Sequence, residues 1–83
     1  MSTKGVEVVV ENKFPERLKR LRERQKRKQY VVSELCGLNR SAIRRYERGE
    51  REPGLKELVS IADYFEVSLD YLTGLTDNPR RNY

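Results

Sequence analysis

The chain has 83 residues, a net charge of +5, 36% hydrophobic and 37% charged residues, one cysteine and no histidine. That bounds it to one small domain with a modest core; the lone cysteine cannot close an internal disulfide and points to the reducing cytoplasm, and neither a membrane-spanning run nor a signal-peptide layout is present. Without histidine there is no Ser-His-Asp or Cys-His chemistry and little scope for zinc, and no glycine-rich phosphate loop occurs, so no enzyme, metal centre or cofactor is expected.

Residues 1–13 stand apart as an arm. Val6, Val8 and Val10 alternate with Glu7 and Val9 in a strand-like, β-branched pattern. A lone strand is unstable, so this arm is expected either to fray or to pair with a second subunit or a protein partner. A first helix is predicted over residues 15–25, with Pro15 at its first position. Phe14, Leu18 and Leu21 form the buried stripe, and Arg17, Lys19, Arg20 and Arg24 cover the rest. The basic connector that follows leaves the helix exit open. Ending at Lys26 would place a lysine in a left-handed conformation at a cost of about 1 kcal/mol; otherwise the helix runs on and turns differently.

Residues 29–48, QYVVSELCGLNRSAIRRYER, read as two short helices around a tight turn. The predicted spans are 29–36 and 40–48. Gly37 suits the left-handed residue that ends the first, and Asn39 can cap the second through the amides of Ser41 or Ala42. Val32, Cys36, Leu38, Ile43 and Tyr46 can meet on one side, with Cys36 and Tyr46 as core residues. Arg40, Ser41, Arg44, Arg45 and Arg48 are left on the other. A short helix with arginines and small polar groups outside is shaped to enter the DNA major groove.

Gly49 to Gly54 is a turn by its glycines and proline. A fourth helix over residues 55–65 is expected to bury Leu55, Leu58, Ala62 and Phe65, with Ile61 flanking. Ser68 caps a last helix over residues 69–73, ended by Gly74, and residues 75–83 are expected to form a tail. Tyr64 and Tyr71, with Leu69 and Leu72, could be a dimer face or simple core. Charge divides along this order. Residues 13–51 hold 14 basic and 5 acidic residues, a balance of +9, whereas residues 52–77 hold 1 and 6, a balance of −5. A basic half facing a polyanion fits a nucleic-acid binder.

The blocks FPERLKRLRERQ, Gln29, GLNRSAIRRYERG, PGLKEL and IADYFEVSLDYLTG, in this order, make the chain resemble the Cro/repressor-type (XRE-like) helix-turn-helix family over about residues 14–74. The resemblance implies an all-α, five-helix, lambda-repressor-like domain that binds operator DNA as a dimer. It further implies that Arg40, Ser41 and Arg45 reach base edges, that Gln29 touches phosphate, and that Asn39, Arg44 and Arg48 lie near the backbone. Arg22 and Glu47 match a structural ion pair that ties the first helix to the third. Lys26, Arg27 and Ser33 depart from the usual glycine, apolar residue and alanine. Tyr30, Val31 and Leu35 are apolar where the family is usually polar, which suggests an added contact surface.

The chemistry of these positions sharpens the expectation. Arg40 leads the helix and can bind guanine O6 and N7 through two parallel bonds; Arg44 and Arg45 can exchange roles as base reader and phosphate clamp; Ala42 can touch a thymine methyl or be ordinary helix surface. Lys28 and Gln29 meet phosphate at a helix start, positioning the protein without reading sequence. The expected function is a sequence-specific transcriptional regulator, a repressor that binds a palindromic operator in double-stranded DNA as a homodimer, cytoplasmic and nucleoid-associated. An antitoxin-like interaction module on the same fold is the principal alternative, and an RNA-binding or coactivator-type bundle the next.

Overall fold

The computed structural model describes residues 12–81, and among these it contains five helices and no strand: α1 (Phe14–Gln25), α2 (Gln29–Leu35), α3 (Ala42–Glu47), α4 (Leu55–Phe65) and α5 (Leu69–Thr73). The valine pattern expected to fray or pair falls in residues 1–11 and lies outside the described residues. The family-type all-α, five-helix architecture is what the structure shows.

Every helix ends at or just before a left-handed residue, and α1 and α5 also have a side-chain acceptor at their starts. α1 starts one residue before its predicted first position, because the Asn12 side-chain oxygen accepts the Phe14 amide at 3.2 Å, and Pro15 fills the first turn. It stops at Lys26, which takes the left-handed conformation at φ 58°, so the helix does not run on. Gly37, Gly49 and Gly74, all at positive φ, follow α2, α3 and α5. Glu66, at φ 56°, does the same for α4. Ser68 caps α5 by accepting the Tyr71 amide at 3.0 Å.

α1 packs against α3 and α5, α2 against α3, and α4 against α5. Leu18, Val32, Ile43, Ile61 and Leu72 are wholly buried at their meeting point, with Phe14, Leu21, Cys36, Tyr46 and Tyr71 around them. Full burial of each large apolar side chain is worth about 1.5–3 kcal/mol, so these residues fix how α3 is held. The Phe14 and Tyr46 rings meet edge-on at 5.8 Å.

Several expectations are corrected. Leu55 is 74% exposed, while Ile61, expected on the flank, is fully buried. The stripe runs through Leu58, Ile61, Ala62 and Phe65; Leu55 has a suitable angle but sits on the first turn, beyond the edge of the core. Tyr71 and Leu72 are core residues, whereas Tyr64 is half-buried and donates its hydroxyl to the Gln25 side-chain oxygen at 2.7 Å. Arg17, expected on the solvent side of α1, is only 7% exposed. Its guanidinium lies 4.3 Å from the centre of the Tyr71 ring and donates to the carbonyls of Tyr71 and Thr76 and to Asp77. The expected tail is therefore docked through residue 81. Ser68 donates its amide to the Pro79 carbonyl at 3.0 Å, and Arg81 donates to the Val67 carbonyl and to Asp63.

Candidate nucleic-acid interface

α2 and α3 are joined by a turn held by several hydrogen bonds. Leu38 donates its amide to the Ser33 carbonyl at 2.8 Å and Gly37 to Glu34 at 3.0 Å, the paired bonds that close a helix over a left-handed glycine. Ser60, reaching from α4, donates its hydroxyl to the Cys36 carbonyl at 2.6 Å. The Ile43 amide, an orphan donor of the first turn of α3, is taken by the wholly buried Ser33 hydroxyl at 3.0 Å. Asn39 accepts the Ser41 amide and hydroxyl, each at 3.0 Å, and the Ala42 amide goes to the Asn39 backbone carbonyl instead. Burial pushes the Cys36 thiol up to about 11, as befits a neutral core side chain. Burial, with Glu57 as the second cause, likewise raises the Tyr46 phenol.

A carboxylate ties α1 to α3. Glu47 accepts two parallel bonds from Arg22, at 2.6 and 3.0 Å, and a third from the Gln29 side-chain amide at 2.9 Å. Their side chains are 13% and 3% exposed for Arg22 and Glu47 respectively. Arg22 also donates to the Arg27 carbonyl at 2.8 Å, fastening the connector between α1 and α2. The bond to Glu47 holds the Arg22 guanidinium above its ordinary pKa against the opposing effect of burial. One buried carboxylate thus joins α1, α2 and α3, and its charge is matched internally.

α3 itself is shorter than the predicted 40–48 span. Arg40 and Ser41 lie in the turn ahead of it, and Arg48 just past it. Arg40, Ser41, Arg44 and Arg48, with Lys28, Gln29 and Asn39, line one concave face of about 960 Å³. Arg45 lines a second concavity on the other side of the ridge, beside Arg51 and Glu57. Adjacent helix positions differ by about 100°, so Arg44 and Arg45 fall on opposite flanks. Ala42 is 8% exposed and belongs to the core cluster. It sits one step before the fully buried Ile43 and four before Tyr46, and it also borders the concavity that Arg45 lines, so only a small part of it faces the side expected to meet a base.

Two residues of the larger face are not among those expected at DNA, although Tyr30 is expected in an added contact surface. Lys19 lines it from α1, and Tyr30 from the first turn of α2. Lys19 precedes Arg22 by three positions, so the face that points at Glu47 also carries Lys19. With Glu47 neutralised by Arg22, the face presents Lys19, Lys28, Arg40, Arg44 and Arg48 and no free carboxylate among its lining residues. Arg40 is held over the Tyr30 ring at 4.5 Å, and its Nη1 lies 3.8 Å from Glu34. Among the described residues no cluster of three or more His, Cys, Asp or Glu is placed to hold a metal, and no helix is long and apolar enough to cross a membrane.

Comparison with known proteins agrees with this geometry. A helix-turn-helix family model matches residues 18–72. An uncharacterized HTH-type transcriptional regulator of Bacillus subtilis, YqaE, is 42% identical over 59 residues, covering 71% of this chain and 51% of that protein. The cryptic phage CTXphi transcriptional repressor RstR of Vibrio cholerae is 36% identical over 62 residues, covering 75% and 55%. The P22 c2 repressor, solved in complex with synthetic operator 9T, superposes with a TM-score of 0.67 at 30% identity, covering 71% of this chain and 89% of that one. The chain spans between 51% and 59% of the length of the curated relatives it matches. With its match running from the buried stripe of α1 through α5, the chain belongs to the XRE-type helix-turn-helix family.

Proposed function

We propose that this chain is a sequence-specific DNA-binding transcriptional regulator, a repressor that acts as a homodimer on a two-fold symmetric operator in double-stranded DNA of the nucleoid. The observation that carries the reading is the outward ridge of Arg40, Ser41, Arg44 and Arg45 beside a basic concavity whose buried carboxylate is already neutralised. Arg40 offers a bidentate fork for guanine, and the small Ser41 lets the backbone come close to the bases. Arg44 and Arg45, on opposite flanks, serve as base reader and phosphate clamp. Lys19, Lys28, Gln29, Asn39 and Arg48 meet phosphate and set the register without reading sequence. Gln29 gives one amide proton to Glu47 and keeps one for a phosphate, and the Asn39 amide nitrogen is likewise left when its oxygen caps the turn.

The relatives support this reading because they are described as transcriptional regulators and repressors, and the superposed P22 c2 repressor was solved on an operator. A single short ridge spans only a few base pairs. A second copy doubles the contacts and places the half-sites one helical turn, about 34 Å, apart. Selection of bound duplexes from a randomised pool tests the reading: enrichment of a two-fold symmetric sequence is expected, and a pool left unenriched would refute sequence-specific binding.

A further inference from the structure

Arg40 sits in the turn before α3, outside the helix proper. Its order comes from α2. The Tyr30 ring lies 4.5 Å from the guanidinium carbon, and Glu34, one turn along the same helix face, lies 3.8 Å from Nη1. Tyr30 is 39% exposed and outside the core cluster, so neither packing nor burial accounts for an aromatic side chain there. A ring face beneath a guanidinium attracts it through the π quadrupole, and the stacked plane restricts how the nitrogen fork can turn. The Glu34 contact is an ion pair longer than a hydrogen bond, and it engages Nη1 alone, so the fork can still turn its donors to a base.

From this geometry we propose that Tyr30 is a specificity-determining positioning residue: its ring holds the Arg40 guanidinium in the plane that pairs with a base edge. The inference rests on the DNA-binding reading above and deepens it. A held fork surrenders little rotamer freedom on binding and matches only a base with two suitably spaced acceptors. A released arginine swings to the nearest phosphate, which every sequence offers, so wrong base pairs are penalised less. Glu34 assists by engaging one edge of the guanidinium, but as an exposed pair it contributes little alone.

The test uses the duplex enriched from a randomised pool and the same duplex with each base pair changed in turn. Arg40→Ala first identifies the base pair that Arg40 reads, as the position where discrimination collapses. Tyr30→Ala is then expected to reduce affinity for the enriched duplex and discrimination at that base pair by about two- to fivefold. Thermal stability and the salt dependence of binding should stay at wild-type values, and Tyr30→Phe, which keeps the ring, should behave as wild type. Undiminished discrimination in Tyr30→Ala, with discrimination lost in Arg40→Ala, overturns the positioning role and leaves the DNA-binding reading standing. A Tyr30→Phe variant as impaired as Tyr30→Ala overturns it too, because the hydroxyl would then be the group that matters. An Arg40→Ala variant with unaltered base preference overturns the positioning role as well, because no base would then depend on Arg40, whereas the DNA-binding reading itself falls only if the pool is left unenriched.

Discussion

At the scale of single residues, Glu47 carries the largest electrostatic stake. Its nearly buried carboxylate accepts three hydrogen bonds, two from Arg22 and one from Gln29. Removing it strands the Arg22 charge, a loss of about 3–5 kcal/mol for a buried pair broken on one side. Glu47→Ala should therefore melt far below wild type; equal melting temperatures would contradict a structural role. Ser33 makes a quieter contribution. Ser33→Ala leaves the buried Ile43 amide without its acceptor and should cost about 1–3 kcal/mol in chemical denaturation. The resemblance marks Ser33 only as a departure from the usual alanine. The use of its hydroxyl depends on a meeting with an amide ten positions away, which no local pattern encodes. Arg17 differs from expectation for a similar reason: helical periodicity sets it outside the buried stripe, and its partners lie beyond residue 70. Cys36 gives a pH-dependent consequence. Burial raises its thiol from 9.0 to about 11, so the folded chain keeps the proton after an unfolded chain has lost it. The resulting stability is complete below pH 9 and disappears as pH rises toward 11. Wild type should lose up to about 1.4 kcal/mol more per pH unit across that window than Cys36→Ala. Identical pH profiles in denaturant titrations would contradict the burial of the thiol.

Among the elements, the decisive feature is how helices stop. α2, α3, α4 and α5 each close with the same pair of backbone bonds around a left-handed residue: Leu38 to Ser33, Glu50 to Arg45, Val67 to Ala62 and Leu75 to Asp70 span the more residues in each pair. Three of those residues are glycines, which is why α2, α3 and α5 could be bracketed from sequence. α4 came out with its predicted bounds although Glu66 fills the left-handed position. Lys26 is the other exception, and there the sequence left two exits open because lysine carries no preference for that conformation. Lys26→Gly removes the strain of a side chain at φ 58° and should raise stability by about 1 kcal/mol, or roughly 4–8 °C in melting temperature for a domain of this size. A lower melting temperature would show that the lysine stem has packing of its own. The start of α3 was misjudged because Asn39 caps through a side-chain turn to Ser41, which leaves Arg40 and Ser41 outside the helix proper. That shift matters for function: Arg40 is steered by α2 rather than by its own helix.

For the whole molecule, charge and packing are laid out along the chain in the same way. α1, α2 and α3 belong to the basic stretch and form the concave face; α4 and α5 belong to the acidic stretch and buttress them. The docked segment through residue 81 locks α5 to α1 by way of Arg17. The order of helices was legible because glycines, proline and apolar spacing all agreed. Membership of Lys19 and Tyr30 in the face was not, since it depends on how α1 and α2 pack against α3, where Glu47 bonds to both. If the face tracks phosphate, Lys28→Gln should weaken binding to every duplex alike and reduce the salt slope by about one; an unchanged slope in titrations at two salt concentrations would remove Lys28 from the interface. The most direct measurement is the map of backbone amide chemical-shift changes when the selected duplex is titrated into the labelled protein. The largest changes should fall on residues 28–30 and 39–48. A map that spares those residues while the duplex is bound would contradict the proposed interface.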